Sequence, residues 1–305
     1  MSNSPSPSTA DRLIAIPAGI CSGATKLLVG HPFDTVKVRM QTEGAHGRFK
    51  GPLDCLMSTV RGEGLRALYR GATPPLIGWT LMDSTQLVTL TNLRLLLQSN
   101  HPSTPLSTAE HALAGTGAGF VVSFVATPIE LLKAKLQVQY NAKGSLAGAE
   151  YTGPIDLAQK LVRNHGVTAL WHGLGPCLLF RSFFWALWGS YDIYSKFLLK
   201  RGYSESATAF LAGGLAANTF WTISYPADVI KNRMMAQKDP GRGAKASDWR
   251  YPSIRSCASQ ILRAEGMKGF YRGFVPCFLR SFPTNGAAIL VFETISSAGK
   301  TYFNK

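Results

Sequence analysis

One ten-residue pattern occurs three times, and nothing else constrains the fold of this chain as strongly. PFDTVKVRMQ starts at Pro32, PIELLKAKLQ at Pro128 and PADVIKNRMM at Pro226. A second signal recurs in phase with it: EGLRALYRG from Glu63, HGVTALWHG from His165 and EGMKGFYRG from Glu265. Between them, Gly51-Pro52, Gly153-Pro154 and Tyr251-Pro252 each open a short amphipathic stretch. Self-similarity at a fixed period means that one structural unit is used repeatedly. The chain is therefore three tandem units that bury their faces against each other.

Each unit carries an apolar segment on either side of these signals. Ser206 to Ala227 has no charged residue, His111 to Ile129 has no Asp, Glu, Lys or Arg, and Leu13 to Phe33 has only Lys26. About 20 such residues span a bilayer as a helix. The second apolar segment of each unit is interrupted by Asp83, Arg181 or Arg280. A polar residue in an otherwise apolar span faces a watery interior, not lipid. The expected fold is an all-α membrane protein. Its six transmembrane helices, near 12–40, 72–97, 108–139, 174–200, 206–237 and 274–300, form three two-helix repeats with pseudo-threefold symmetry. Surface helices are expected near 52–62, 154–164 and 252–264. The repeats cover 12–100, 107–200 and 205–302, and residues 1–11 form a disordered tail. An even number of spans places both termini on one side.

Composition excludes the main alternatives. Charged residues make up only 16%, yet the net charge is +15. With apolar spans, such a balance suits anionic lipid headgroups better than nucleic acid. Five cysteines without a CxxC pair, and six scattered histidines, give neither a disulfide framework nor a metal site. No cofactor is expected. There is no nucleophile–base constellation and no Gly-rich phosphate loop, so the chain is not read as an enzyme. The N-terminus has no secretory h-region and no Arg-rich amphipathic presequence.

Small residues spaced by four, Gly19 and Gly23, Gly115 and Gly119, Gly213 and Ala217, put close-approach faces on the odd helices. Pro32, Pro128 and Pro226 should kink them. Just beyond each proline lie an acid and a base three residues apart: Asp34 and Lys37, Glu130 and Lys133, Asp228 and Lys231. These suit a ring around the pseudo-threefold axis, where each acid pairs with the base of another repeat. Paired, they close one end of a pore; separated, they open it. The alternative is three local i, i+3 ion pairs worth a few tenths of a kcal/mol.

The pattern Pro-x-acid-x-x-base, followed by acid-Gly-x4-aromatic-base-Gly, resembles the mitochondrial carrier family over about residues 12 to 300. The resemblance implies a monomer in the mitochondrial inner membrane, termini in the intermembrane space, with alternating access to a central site. It implies a matrix gate of Asp34 with Lys133, Glu130 with Lys231 and Asp228 with Lys37. Gln41 and Gln137 would brace two of these pairs, while Met235 holds the third brace position. A cytosolic gate would use Asp192, Lys196, Glu293 and Arg94. Cardiolipin would sit at Arg70-Gly71, Gly173 and Arg272-Gly273, opposite Gly51 and Gly153. Substrate contacts would be Gly78, Trp79, Phe180, Arg181 and Arg280.

Helical spacing puts Trp79, Asp83 and Gln86 on one face, and Arg181, Trp185, Trp188 and Asp192 on another. Arginine suits a carboxylate, and Asp83 suits an ammonium group. Trp185 and Trp188 read equally as packing residues, and Asp83 as a partner of Arg181 or Lys26. Gly30-His31-Pro32, the run from Asp34, and PPLIG from Pro74 look closest to the carnitine/acylcarnitine and basic amino acid branch. The expected solute is an amino acid or a carnitine-like zwitterion. The alternatives are a di- or tricarboxylate, or a carrier-like membrane adaptor that transports nothing.

Overall fold

The computed structural model describes residues 9–43, 49–99, 104–139 and 150–280, and beyond these positions 283–284, 287, 290–291 and 294–295. Its helices are α1 (Thr9–Glu43), α2 (Pro52–Glu63), α3 (Thr73–Ser99), α4 (Thr108–Val138), α5 (Pro154–His165), α6 (Leu174–Ser182), α7 (Phe184–Lys200), α8 (Glu205–Ala236) and α9 (Ile254–Glu265). A further helix begins at 274. Single 3₁₀ turns, Leu65–Tyr69, Val167–Trp171 and Met267–Tyr271, follow α2, α5 and α9. Each repeat is thus a long helix, a short surface helix, a 3₁₀ turn and a second long helix. No strand occurs among the described residues.

Charges and apolar groups are distributed inside out. Arg39, Asp228, Arg233 and Lys231 are buried, whereas Ile20, Leu87, Leu113, Phe124, Phe210 and Leu290 are exposed. Large apolar side chains on the outside and ionised ones within require lipid outside and a polar interior. Thr108–Val138 is long and apolar enough to pass as a span on composition alone, with mean hydropathy 1.6. The charges of α8 lie beyond Pro226, where Asp228 and Lys231 are buried.

The prolines do not interrupt the helices. α1, α4 and α8 run through Pro32, Pro128 and Pro226. A proline has no N–H for the carbonyl four residues back, and in lipid that carbonyl still needs a donor. Each repeat supplies one from the aromatic residue of its second motif. Tyr69 donates its hydroxyl to Leu28 O at 3.2 Å. Trp171 donates Nε1–H to Phe124 O at 2.8 Å, and Tyr271 donates its hydroxyl to Thr222 O at 3.1 Å. The two motifs recur in phase because one repairs the backbone bond that the other removes. Tyr271→Phe is expected to cost about 1–2 kcal/mol of stability, read as a lower midpoint of thermal unfolding in detergent. An unchanged midpoint would show that lipid or water serves the carbonyl instead.

The glycine of the second motif joins one repeat to the next. Gly71 and Gly273 have φ of +75° and +82°, a region that glycine enters without steric cost. A Cβ on Gly71 would lie 2.9 Å from Lys133 O, and one on Gly273 would lie 3.0 Å from Lys37 O. In repeat 2 the neighbour of Gly173 is the Met235 side chain. The repeats therefore meet as 1 on 2, 2 on 3 and 3 on 1, beside the lysines of the proline motifs.

Two sequence expectations need correction. The helix expected over 174–200 is broken at Phe183, where Phe183 N–H donates to Phe180 O and Ala186 N–H to Phe183 O. Gly173 to Tyr191 is one residue shorter than Gly71 to Leu90 or Gly273 to Phe292. A 3₁₀-like turn rises about 2.0 Å per residue against 1.5 Å in an α-helix, so the break recovers the missing length. The N-terminal tail was expected to extend to residue 11, but α1 starts at Thr9.

Candidate functional site

The lower ends of α1, α4 and α8 hold the three acid–base motifs, all at least half-buried. Lys133 Nζ is 2.7 Å from Asp34 Oδ2, Lys231 Nζ is 2.9 Å from Glu130 Oε2, and Lys37 Nζ is 2.8 Å from Asp228 Oδ2. All three pairs run between repeats. One local pair also forms, Lys231 with Asp228 at 3.3 Å. Such a ring survives at membrane depth because each charge has a partner.

Above the ring, each lysine lies over an aromatic face. Lys37 is 4.3 Å from the centre of the Trp221 ring, Lys231 4.3 Å from Phe180 and Lys133 5.9 Å from Trp79. These are cation–π distances. The rings and the charged groups line a cavity of about 260 Å³ that also reaches Met82, Phe184 and Arg280. Gly78 is buried, and a Cβ there would collide with Ile129. It permits α3 to approach α4 and offers no contact of its own.

Both intramembrane arginines join the ring. Arg181 Nη2 is 2.8 Å from Glu130 Oε1, and Arg280 Nη1 is 3.2 Å from Asp34 Oδ1. Arg181 is buried, whereas Arg280 keeps 24% of its side chain exposed. Asp83 is exposed and has no ion pair among the described residues, and its charged neighbours are Lys26 and Arg181. Those neighbours belong to other helices, so Asp83 faces the bundle interior. Gln86, one turn on, has both amide atoms buried without a partner among the described residues.

The two glutamines behave differently. Gln41 Nε2 donates to Asp228 Oδ2 at 3.0 Å. Gln137 donates to Thr35 Oγ1 at 3.2 Å, and no hydrogen bond joins it to Asp34 or Lys133 among the described residues. Asn232, which the sequence reading passed over, fills the gap beside Gln41: its Nδ2 reaches both Gln41 Oε1 and Asp228 Oδ2.

At the opposite end the described residues form no bridge across the bundle. Asp192 accepts from Lys196 on its own helix at 2.6 Å and from Thr108 of α4. Arg94 lies over the Trp188 ring at 4.9 Å. Glu293 lies outside the described residues. Trp188 packs against Gly115 of α4, while Trp185 is half-exposed; the break at Phe183 has separated the expected stripe. The cavity is closed by the acid–base ring, and no matching ring of ion pairs occurs at this end among the described residues.

Near the surface helices, a groove of about 590 Å³ separates Arg70 and Gly71 from Gly153 and Pro154. Arg70 is committed to Glu63 and to Gln139 O. Arg272 reaches Phe49 O at 3.4 Å. Gly51 and Gly153 are N-caps of α2 and α5 with no side-chain cap. The sequence reading also missed a bolt beneath the ring. Arg39 pairs with Glu63, and Arg233 with Glu265, both at 2.5 Å and almost fully buried. Its signal was legible: Arg39, Lys135 and Arg233 each stand seven residues after the motif proline.

Three repeats of two long helices, closed at one end by inter-repeat acid–base pairs around a polar cavity, define a membrane transporter. A family profile described as "Mitochondrial carrier protein" matches residues 10–101, 104–202 and 203–302. The chain is 40% identical to mitochondrial substrate carrier family protein L of Dictyostelium discoideum, over 91% of this chain and 92% of that protein. It is 35% identical to a mitochondrial carnitine/acylcarnitine carrier-like protein of Arabidopsis thaliana, over 95% of this chain and all of that one. It is 31% identical to the mitochondrial basic amino acids transporter of Bos taurus, over 92% and 90%. The chain belongs to the mitochondrial carrier family, whose members are transporters and not enzymes.

Proposed function

We propose that the chain carries a small zwitterion with one carboxylate and one cationic group, an amino acid or a carnitine-like solute, across the mitochondrial inner membrane by alternating access. The observation that carries this reading is the charge balance of the cavity floor. Asp34, Glu130 and Asp228 face Lys37, Lys133, Lys231, Arg181 and Arg280, which leaves two positive charges over. A buried excess of that sign attracts an anion. Arg280 is the arginine with open surface, so it meets the carboxylate. Asp83, uncommitted and beside Gln86, meets the cationic end, and the Trp79 ring lies on the same face. Relatives named for carnitine and for basic amino acids handle solutes of this chemistry. A dicarboxylate would need a second arginine with open surface, and Arg181 is buried against Glu130.

The three pairs form the matrix gate, closed here. Arg94, Asp192 and Lys196 belong to the opposite, open end. Both termini face the intermembrane space, the unit is a monomer, and the groove beside Arg70, Gly71 and Gly153 takes a cardiolipin headgroup.

The test is uptake into cardiolipin-containing liposomes of labelled carnitine, ornithine, neutral amino acids, malate and citrate, with Arg280→Ala in parallel. Uptake of carnitine or an amino acid, lost in the variant, is expected. Uptake of malate or citrate alone would overturn the zwitterion reading. No uptake of any solute by folded protein would favour the adaptor.

A further inference from the structure

The middle repeat leaves a buried cation without a counter-ion. In repeats 1 and 3 the base seven residues after the proline pairs with the acid that ends the surface helix, Arg39 with Glu63 and Arg233 with Glu265. In repeat 2 the base is Lys135, and His165 holds the position of the acid. Lys135 is 4% exposed, as buried as Arg233. Its ammonium donates to Gln237 O at 2.6 Å and makes no ion pair among the described residues. A histidine is neutral or positive, so it cannot answer Lys135 as a glutamate would. A buried ammonium is costly unless its charge is met and its remaining N–H groups are bonded.

What adjoins Lys135 is a cavity of about 190 Å³, lined by His165, Thr168, His172 and Trp249 and by the buried apolar side chains Leu131 and Leu161. About six waters of bulk liquid fill that volume, which is room for a phosphate or a small carboxylate. Thr168 is exposed, so the cavity is reached from water. Asp239, the acid beside it, is already taken up. His165 Nε2 lies 2.6 Å from Asp239 Oδ1, Gly241 N–H donates to the same oxygen at 3.0 Å, and Asn164 Nδ2 donates to Oδ2 at 3.2 Å. Lys135 is not among these partners. Trp249 stacks on His172 with ring centres 4.0 Å apart, and its ring lies 5.9 Å from Lys135 Nζ. Neither ring makes a hydrogen bond among the described residues, so each keeps an N–H to offer.

We propose that this cavity binds a small free oxyanion, a phosphate or a carboxylate, whose oxygens stand on Lys135 where the other repeats place a glutamate. Lysine serves such a ligand as a point charge. The Thr168 hydroxyl and the imidazole and indole N–H groups supply neutral donors around it. Lys135 and Thr168 belong to repeat 2 and Trp249 to repeat 3. The anion therefore satisfies the ammonium and also joins the two repeats, at the seam that Glu130 and Lys231 close at membrane depth. A ligand held only by the folded chain raises its stability by mass action.

The test is thermal unfolding of the full chain in lipid-free detergent, in sodium phosphate against sodium chloride of equal ionic strength. Wild type should gain about 3–5 °C in Tm once phosphate exceeds its Kd tenfold. Lys135→Gln, whose amide can still donate to Gln237 O, should lose the gain. His165→Glu should lose it too, because it brings a carboxylate of its own into the cavity. Arg280→Ala, altered in the other cavity, should keep it. Only the difference between the two salts is compared, so a lower starting midpoint does not affect the reading. An equal gain in wild type and both cavity variants would mean that phosphate acts on the whole surface as a salt and would overturn the site. So would a gain lost in Arg280→Ala and kept in Lys135→Gln, which would place the anion in the solute cavity. A response to added cardiolipin alone would overturn the free anion in favour of a lipid headgroup. If neither cavity variant folds, equilibrium dialysis of labelled phosphate against Arg280→Ala decides: one phosphate retained in excess chloride supports the site, and none overturns it. No transported solute is used, so this site and the transport reading fail separately.

Discussion

Replacing Asp228 by alanine should abolish transport and cost about 3–5 kcal/mol of stability, because it leaves two buried lysines without their shared partner. Asp228 is the most committed member of the ring. Its carboxylate faces Lys37 at 2.8 Å and Lys231 at 3.3 Å, and accepts from Gln41 and Asn232. Its side chain is 2% exposed. Without it, Lys37 keeps only the Trp221 and Tyr225 faces, and Gln41 Nε2 loses its acceptor. Asp228→Asn should be milder, since an amide still accepts from Gln41. The double variant Lys37→Ala, Asp228→Ala should lose less than the two single changes added, as both remove one interaction. Midpoints of thermal unfolding for the four proteins give the comparison. Simple additivity would mean that Lys37 and Asp228 do not depend on each other. Equal uptake by wild type and Asp228→Ala would remove the gate from the mechanism.

The sequence carried the ring almost entirely, because a threefold pattern leaves little freedom. Three acids and three bases at one phase, on helices that cannot expose them to lipid, must find each other. The proposed solute site was less legible, since the even helices differ between repeats. Arg181 illustrates the limit: on a continuous helix it shares a face with Trp185 and Trp188. The turn at Phe183 sends Trp188 onto Gly115 and leaves Arg181 against Glu130. Gln137 shows another limit. Its equivalence to Gln41 is real in the pattern, yet Thr35 competes for its amide and wins. Asp239, whose Oδ1 lies 2.6 Å from His165 Nε2, is in the loop after α8, beyond the repeated motif, so no periodicity pointed to it. The departure of His165 from the acid of the other repeats was visible. Which group would answer it was a question of three-dimensional proximity.

The two intramembrane arginines should separate cleanly when each is changed to alanine. Arg280 lies at the cavity wall with a quarter of its side chain exposed, and its partner Asp34 keeps Lys133. Arg280→Ala should therefore cost only about 1 kcal/mol of stability. The loss should fall on uptake, at least tenfold, because a solute carboxylate has no comparable bidentate donor left. Arg280→Lys should restore little, since a point charge does not reproduce the planar fork. Arg181 is buried against Glu130 and lies 5.4 Å from the Phe184 ring. Arg181→Ala should cost about 3 kcal/mol, since Glu130 would keep Lys231 but lose a buried partner. Its effect on uptake should follow the loss of folded protein. Saturation curves of uptake beside unfolding midpoints distinguish the two. Reduced uptake per folded Arg181→Ala molecule, with stability intact, would make Arg181 a second anion contact and favour the dicarboxylate. In that event the excess positive charge of the floor would serve two carboxylates, and Asp83 would be left to Lys26.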